Sequence, residues 1–316
     1  ANRDLSRVST EMATGVKDDL VAATGGDPSR LYAIERDIAR ADTRASTLAL
    51  AQARTEATQN AMNAVQTFAA EIGVELAAAA ERRDIGAATR QADAARNALE
   101  GVVATLNARV GERAIFAGAD AAGPAVASAD VIMDEIAARV AGAASPSDVI
   151  DAVEDYFFID PAGFETTGYL GSASDASQVE VREGARIDAA LRADDGSIRR
   201  AMAALALSIV AVEETAVALD DTGRLEVFGA SATQAMSAND LIIDARAALG
   251  DAEARIETAI VANSAESAFL QAGRTAIIAR DPFEAATEFT ALETRLQSIF
   301  AITSRLSSLT LTSFLR

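Results

Sequence analysis

The sequence predicts a mainly α-helical protein: a long antiparallel helical bundle or coiled coil formed by the N- and C-terminal segments, with an inserted α+β domain. Three observations carry that expectation. After Pro28 neither proline nor glycine occurs until Gly73, so the strongest local breakers are missing from a long stretch. Apolar residues recur at spacings of three and four near both ends of the chain. Between about 121 and 228 this period gives way to Pro124, Pro146, Pro161 and a glycine-rich stretch from Gly163 to Gly171. The predicted organisation is a discontinuous helical core over 1–120 and 229–316, with a variable α+β segment inserted at 121–228.

Taken in order, Leu5, Val8 and Met12 open the chain on a helical spacing. Asp27-Pro28-Ser29 is a helix start signal, with oxygens available for orphan amides and a proline suited to the first turn. Ile34, Ile38, Ala41, Ala45 and Leu48, then Met62, Val65, Ala69, Ile72 and Leu76, extend that helix from about 29 to 79. Such a helix is about 75 Å long and needs another long helix to lie against. A second helix is expected from about Ile85 to Arg109, its seam rich in Ala88, Ala92 and Ala95, which let helix axes approach closely. Arg109 to Gly118, with two glycines around an Ile-Phe pair, reads as a short strand or hairpin.

In the middle segment, short helices are expected at about 127–141 and 147–155, the second opened by Ser145-Pro146-Ser147-Asp148. Gln178 to Asp188 alternates apolar and polar residues around Glu183-Gly184, the pattern of a β-hairpin. A helix from Ser197 to about Leu219 follows. From Ser231 the pattern is helical to the end, broken at Asp281-Pro282, where the residue before proline is biased away from helix. Because the long-helix pattern resumes after Gly229, the inserted segment is expected to be replaceable by a short linker without loss of the helical core. Phe289, Leu292, Leu296, Ile299, Ile302, Leu306 and Leu309 form a closing stripe. The opening and closing seams are each other's nearest partners.

Composition narrows the chemistry. The 316 residues include no Cys and no His, which excludes disulfides, thiol nucleophiles, Cys- or His-bound metals and an imidazole base. Lys17 is the only lysine. A formal net charge of −19 argues against a nucleic-acid partner, which needs a basic footprint. The apolar run from Ala201 to Val212 is too short to span a bilayer and fits a buried helix. The opening Ala-Asn-Arg-Asp-Leu-Ser-Arg has no apolar signal core. Asp18-Asp19, Asp194-Asp195, Glu213-Glu214 and Asp220-Asp221 could suggest carboxylate dyads or calcium ligands. Adjacent helical residues diverge too far for a dyad, and no calcium-loop spacing is present, so caps or solvated acids are expected. Phe157-Phe158 is expected to serve core packing rather than an exposed wedge. No phosphate loop or nucleophile elbow occurs. The expectation is a non-enzyme with no catalytic, cofactor-binding or metal-ligating residues.

Several segments carry a joint pattern at both ends of the chain. They are Leu5-Ser-Arg-Val-Ser-Thr-Glu-Met-Ala-Thr-Gly15 with Lys17-Asp-Asp, Gly111-Glu-Arg-Ala-Ile-Phe-Ala-Gly-Ala119, and Ala254-Arg-Ile-Glu257. Ile278-Ala-Arg-Asp-Pro-Phe-Glu-Ala-Ala-Thr287, Leu292-Glu-Thr-Arg-Leu-Gln297 and Ser304-Arg-Leu-Ser-Ser-Leu-Thr-Leu311 complete the set. Together these segments resemble the flagellin superfamily, and the resemblance covers roughly the first 120 and last 85 residues and leaves the middle unaligned. Family members usually carry a further segment before the position matching Leu5, which implies that this chain begins inside its first helix. Arg255-Ile-Glu-Thr-Ala-Ile260 lacks the acidic repeat of flagellin proper, which tilts the resemblance toward the family's hook–filament junction members.

The resemblance implies a structural subunit of the bacterial flagellum, exported by the flagellar apparatus and extracellular. It would work with no cofactor and without nucleic-acid or membrane contact. Its implied partners are other axial proteins (a hook-associated protein and flagellin), further copies in a ring or helical assembly, and an export chaperone. A filament subunit and a cytoplasmic helical adaptor or signalling module are the alternatives. The assembly interface is expected at Leu5, Val8, Met12, Phe289, Leu292, Leu296, Ile299, Leu306, Leu309 and Phe314.

Overall fold

The computed structural model describes residues 2–119, 122–159, 163–174, 178–182, 184–213 and 219–314, the side chains of 307–314 lying outside that description. The protein is mainly α. Helices α1 (Asn2–Thr14), α2 (Leu20–Ala23), α3 (Ser29–Glu81) and α4 (Ile85–Leu106) come first. The strands β1 (Arg109–Val110) and β2 (Arg113–Ala114) and the helices α5 (Ala129–Val140) and α6 (Pro146–Phe158) follow. Next are β3 (Val179–Arg182), β4 (Ala185–Ile187), α7 (Gly196–Val210), α8 (Asp221–Ile278) and α9 (Pro282–Phe314). Each strand pair is an antiparallel hairpin. Two compact units result, one of residues 1–45 and 261–316, the other of 46–260.

The start of α3 follows its local signal: the Asp27 carboxylate accepts from the Ser29 amide at 2.9 Å. Gly73 does not end the helix. A Cβ there would lie 2.5 Å from the Ala235 Cβ on α8, so glycine lets these two helices touch. Within the larger unit α3 and α8 run antiparallel, as the order of their cross-links requires. The Gln59 amide donates to the Arg246 carbonyl at 2.9 Å, Arg246 donates to Gln66 at 2.6 Å, and Gln66 donates to Asn239 at 2.8 Å. In the smaller unit the buried Asn263 donates to the Ala41 carbonyl at 2.9 Å, and Arg44 pairs with Glu266 at 2.8 Å.

The alanine seam of α4 is buried as expected, from Ala88 through Leu106. Its partner is α7, in which every residue from Ala201 to Val210 is buried. A helix buried all round fits an apolar sequence with no polar stripe. Its hydroxyls stay bonded within the fold: Ser208 donates to the Leu205 carbonyl at 2.7 Å, and Ser231 of α8 reaches the Ala204 carbonyl at 2.6 Å. Helix α7 ends at Val210 rather than near Leu219; its last turn is closed by Ala211 and Val212 amides, and residues 214–218 lie outside the described residues. Helix α8 begins at Asp221, ten residues before the expected Ser231, with the Asp220 carboxylate accepting from the Gly223 amide.

Side chains at element ends settle the small middle segment. Asn107 closes α4 and binds three backbone groups of Ala125 and Val126 at 2.8–3.0 Å. Ser145 and Asp148 form a reciprocal capping box at the start of α6. The paired acids are likewise caps and ion-pair partners: Asp19 caps α2, Asp195 caps α7, Asp194 pairs with Arg192 at 2.8 Å, and Glu213 pairs with Arg96. Tyr156, Phe157 and Phe164 form an aromatic core with centroids 4.9–6.3 Å apart, while the half-buried Phe158 lies under Arg200 at 4.1 Å.

One continuous buried cluster joins Met62, Val65 and Leu99 with Ile132, Val153, Phe157, Leu205, Phe228 and Ile242. It draws on residues from both sides of 120/121 and 228/229. We therefore expect a chain with 124–228 replaced by a linker to expose Leu99, Val102 and Leu106 and to lose its cooperative thermal melt, contrary to the expectation from helical periodicity. A retained cooperative melt by circular dichroism would count against this.

Gly73→Ala gains about 1 kcal/mol in helix propensity but forces two packed helix backbones apart, a cost of about 1–3 kcal/mol. The 2.5 Å approach to another Cβ, which has no rotamer to escape into, puts the balance on the destabilising side. A lowered midpoint in urea for Gly73→Ala, with unchanged slope, is the expected result.

Candidate assembly site

The expected interface is the pairing of α1 with α9 in the smaller unit. The two helices are antiparallel. The end of α1 is tied to the junction of α8 and α9 by a bridge between Val16 and Ala279, with the Arg280 amide donating to the Gly15 carbonyl at 2.9 Å and the Lys17 amide to the Ile278 carbonyl at 2.8 Å. Gly15 holds a φ of 69°, which an L side chain adopts only at a cost, so the tight turn after Thr14 selects glycine there. Asp281 accepts from the amides of Phe283 and Glu284, which starts α9 at Pro282.

Among the predicted interface residues, Val8 is fully buried, and Leu5, Phe289, Leu292 and Leu296 are half-buried. Met12 is 45% exposed, Ile299 46% and Leu306 58%. The side chains of Leu309 and Phe314 lie outside the described residues, although the α9 backbone reaches Phe314. The structure thus brings Leu5 and Val8 into the α1/α9 seam and leaves Met12, Ile299 and Leu306 turned to solvent. Helix geometry explains Met12. From Val8 the seam continues through Glu11, on the other flank of the face from Met12, because buried charge occupies the last turn.

Periodicity missed that charge cluster. Glu11 is 2% exposed and Arg280 is nearly buried beside it. Arg7 donates to Glu11 at 2.8 Å and to Glu288 at 3.0 Å, and Arg280 also reaches Glu288. Glu11 Oε2 and Arg280 Nε are 3.3 Å apart, within ion-pair range but outside hydrogen-bond geometry. The remaining lone pairs of Glu11 take the Asp18 amide at 3.1 Å. Burial by itself would raise the Glu11 carboxyl, but the Asp18 amide, Arg7 and Arg280 together hold it below the usual glutamate range. The available signal was an acid on the apolar face of the opening helix, paired with two arginines at the far end of the chain.

Comparison with known proteins bears on the C-terminal helices. Residues 233–315 match the bacterial flagellin C-terminal helical region, a span that takes in most of α8 and all of α9. The chain carries a flagellin-type C-terminal region. No curated protein sequence matches this chain. A solved structure assigned to a flagellar hook-associated protein from Vibrio parahaemolyticus has the same fold, with a TM-score of 0.52 at 11% identity over 79% of this chain and 98% of that one. The resemblance to the flagellin superfamily is thereby borne out on the C-terminal helices, and the solved structure adds a shared fold. Among the described residues, no helix is long and apolar enough to cross a membrane.

Because the Glu11 carboxyl is depressed in the folded chain, its contribution is complete above the usual glutamate range and is lost as pH falls through the lower folded value. Glu11→Ala removes one carboxylate from the cluster while Arg280 keeps Glu288 and Glu284, so it should cost about 1–3 kcal/mol, the usual cost of losing a charged hydrogen-bonded partner rather than of orphaning a buried charge. Amide hydrogen exchange along α1 should accelerate in that variant at neutral pH and converge with wild type in acid. Unchanged α1 protection would show that the apolar seam alone holds the helix.

Proposed function

We propose that this chain is a junction subunit of the flagellar axis, joining hook to filament and assembling through its terminal helices. The observation that carries the reading is on α9. Beyond Leu296, which is half-buried, Ile299, Phe300 and Ile302 are 46%, 66% and 59% exposed on a helix that continues to Phe314. Apolar side chains on an exposed helical end are suited to packing with neighbouring protein. The hook-associated identity of the Vibrio structure and the missing acidic repeat at Arg255–Ile260 support the junction role over the filament role. On this reading the protein is exported, extracellular and non-enzymatic, and the predicted interface residues belong to its contacts with axial neighbours and further copies. The division at 121–228 marks the segment that varies between such subunits.

The deciding experiment is electron microscopy of a deletion strain. Detached filaments beside intact hooks are expected for a junction subunit, whereas loss of the filament with its junction intact would make it a flagellin.

At the seam itself, Ile299→Asp removes an apolar contact worth roughly 1.5–3 kcal/mol when buried by a neighbour and adds a carboxylate that the neighbour must desolvate. The exposed position spares the fold. Expected are a soluble chain with wild-type melting that is exported but does not seat, and non-motile cells. Normal swimming would remove Ile299 from the interface.

A further inference from the structure

The chain carries far more acid than base, 47 residues against 28, so arginines are expected to find carboxylates. Most of the arginines described above do. Two that do not converge on one pocket in the larger unit. Arg54 on α3 and Arg113 on β2 line a cavity of about 50 Å³ together with Thr58, Ala114, Gly118 and Val179. Among the described residues neither guanidinium has a hydrogen-bonded or ion-paired acid. Asp188, next in sequence to the lining residue Ala189, accepts from the Ala190 amide at 3.1 Å, and the Thr58 hydroxyl is spent on the Arg54 carbonyl at 2.9 Å.

Three separate elements build this pocket, and each is held in place independently. Ala51, beside Arg54 on α3, belongs to a buried cluster with Leu48, Ile187, Ala252 and Ile256, against which Val179 packs. The β1–β2 hairpin fixes Arg113 opposite Val110. Gly118, at a φ of 66°, lies so close to the Ser172 and Ser174 carbonyls that a Cβ would come within 2.6–2.8 Å of them. Burial and then the neighbouring Arg113 charge pull the Arg54 guanidinium below its ordinary value. Two like charges lining one cavity, with no acid paired to either among the described residues, are an unfavourable arrangement, which an anion between them relieves.

We propose that the Arg54–Arg113 pocket is an oxyanion-binding site, taking a carboxylate, sulfate or phosphate group. The size selects the class. A space of this volume has room for on the order of three or four water-sized groups, enough for one such group and too little for a nucleotide or a cofactor ring. A guanidinium fork matches the geometry of two oxygens on one centre, and two arginines line this one cavity. The oxyanion has two possible sources, a free inorganic anion or an acidic side chain on a second copy of this strongly acidic chain. The proposal does not rest on the flagellar reading.

The test uses the full chain, with inorganic phosphate titrated against chloride at constant ionic strength and followed by calorimetry and thermal melting. A single saturable site is expected for wild type, weakened at least about tenfold in Arg54→Gln and in Arg113→Gln, since each removes a charge-assisted contact. Arg90→Gln, an exposed arginine on α4, should bind as wild type does. Should Arg54→Gln fail to fold, the exposed Arg113→Gln carries the same test. Sedimentation distinguishes the sources: a weak self-association that phosphate dissolves and both pocket variants lack indicates a neighbour's carboxylate, and a monomer throughout indicates a free anion. The proposal is overturned if phosphate does no more than chloride, or if wild type and both pocket variants saturate alike.

Discussion

The close approach of helix backbones is the constraint on which the larger unit depends. Its seams are lined by alanine and, at Gly73, by no side chain at all. An alanine buries little apolar surface, so a core of this kind gains stability only by repeating the contact along many turns. That requirement accounts for helices of 53 and 58 residues and for the low aromatic content. It also makes the geometry unforgiving. Large side chains can repack around an error, but two backbones separated by a methyl group can only move apart.

Where that mode of packing is insufficient, polar groups complete it. Asn263, Gln59 and Gln66 bond across α3 and α8 in their respective units, with Asn263 buried outright and Gln66 using both ends of its amide. Alanine seams are nearly featureless along their length and tolerate sliding by a turn. Side-chain amides do not, because a shift would bury donors and acceptors without partners. The Glu11 cluster plays the same part at the α1/α9 pair, where charge specifies a register that Leu5, Val8 and Leu292 alone leave open.

Much of the helical plan was legible because it rests on short-range signals. Asp27-Pro28-Ser29, Ser145-Pro146-Ser147-Asp148 and Asp281-Pro282 each mark an observed helix start, and Gly184 turns the β3–β4 hairpin at a φ of 74°. Gaps and errors arose where a residue's meaning depends on a distant neighbour. The predicted helix runs through Gly73, but the reason glycine stands there is visible only once Ala235 is placed against it. The segment after Val210 continues the apolar pattern, yet α7 stops there. Within the candidate site, Val8 and Leu5 could be read from spacing, whereas Glu11 could not. Its role comes from Arg280, almost the whole chain away.

A chain without histidine or cysteine has few ways to respond chemically, and its remaining devices are packing and fixed charge. A net charge of −19 makes every copy repel every other until salt screens the field or a specific contact outweighs it. Apolar residues along the exposed part of α9 supply attraction that salt does not screen, while at the α1/α9 turn the buried Glu11 is held by Arg7 and Arg280. Such a division suits a protein that must stay soluble alone and associate only in register. Repulsion keeps isolated chains apart, and a short apolar stripe adds up only when neighbours present complementary faces along its length.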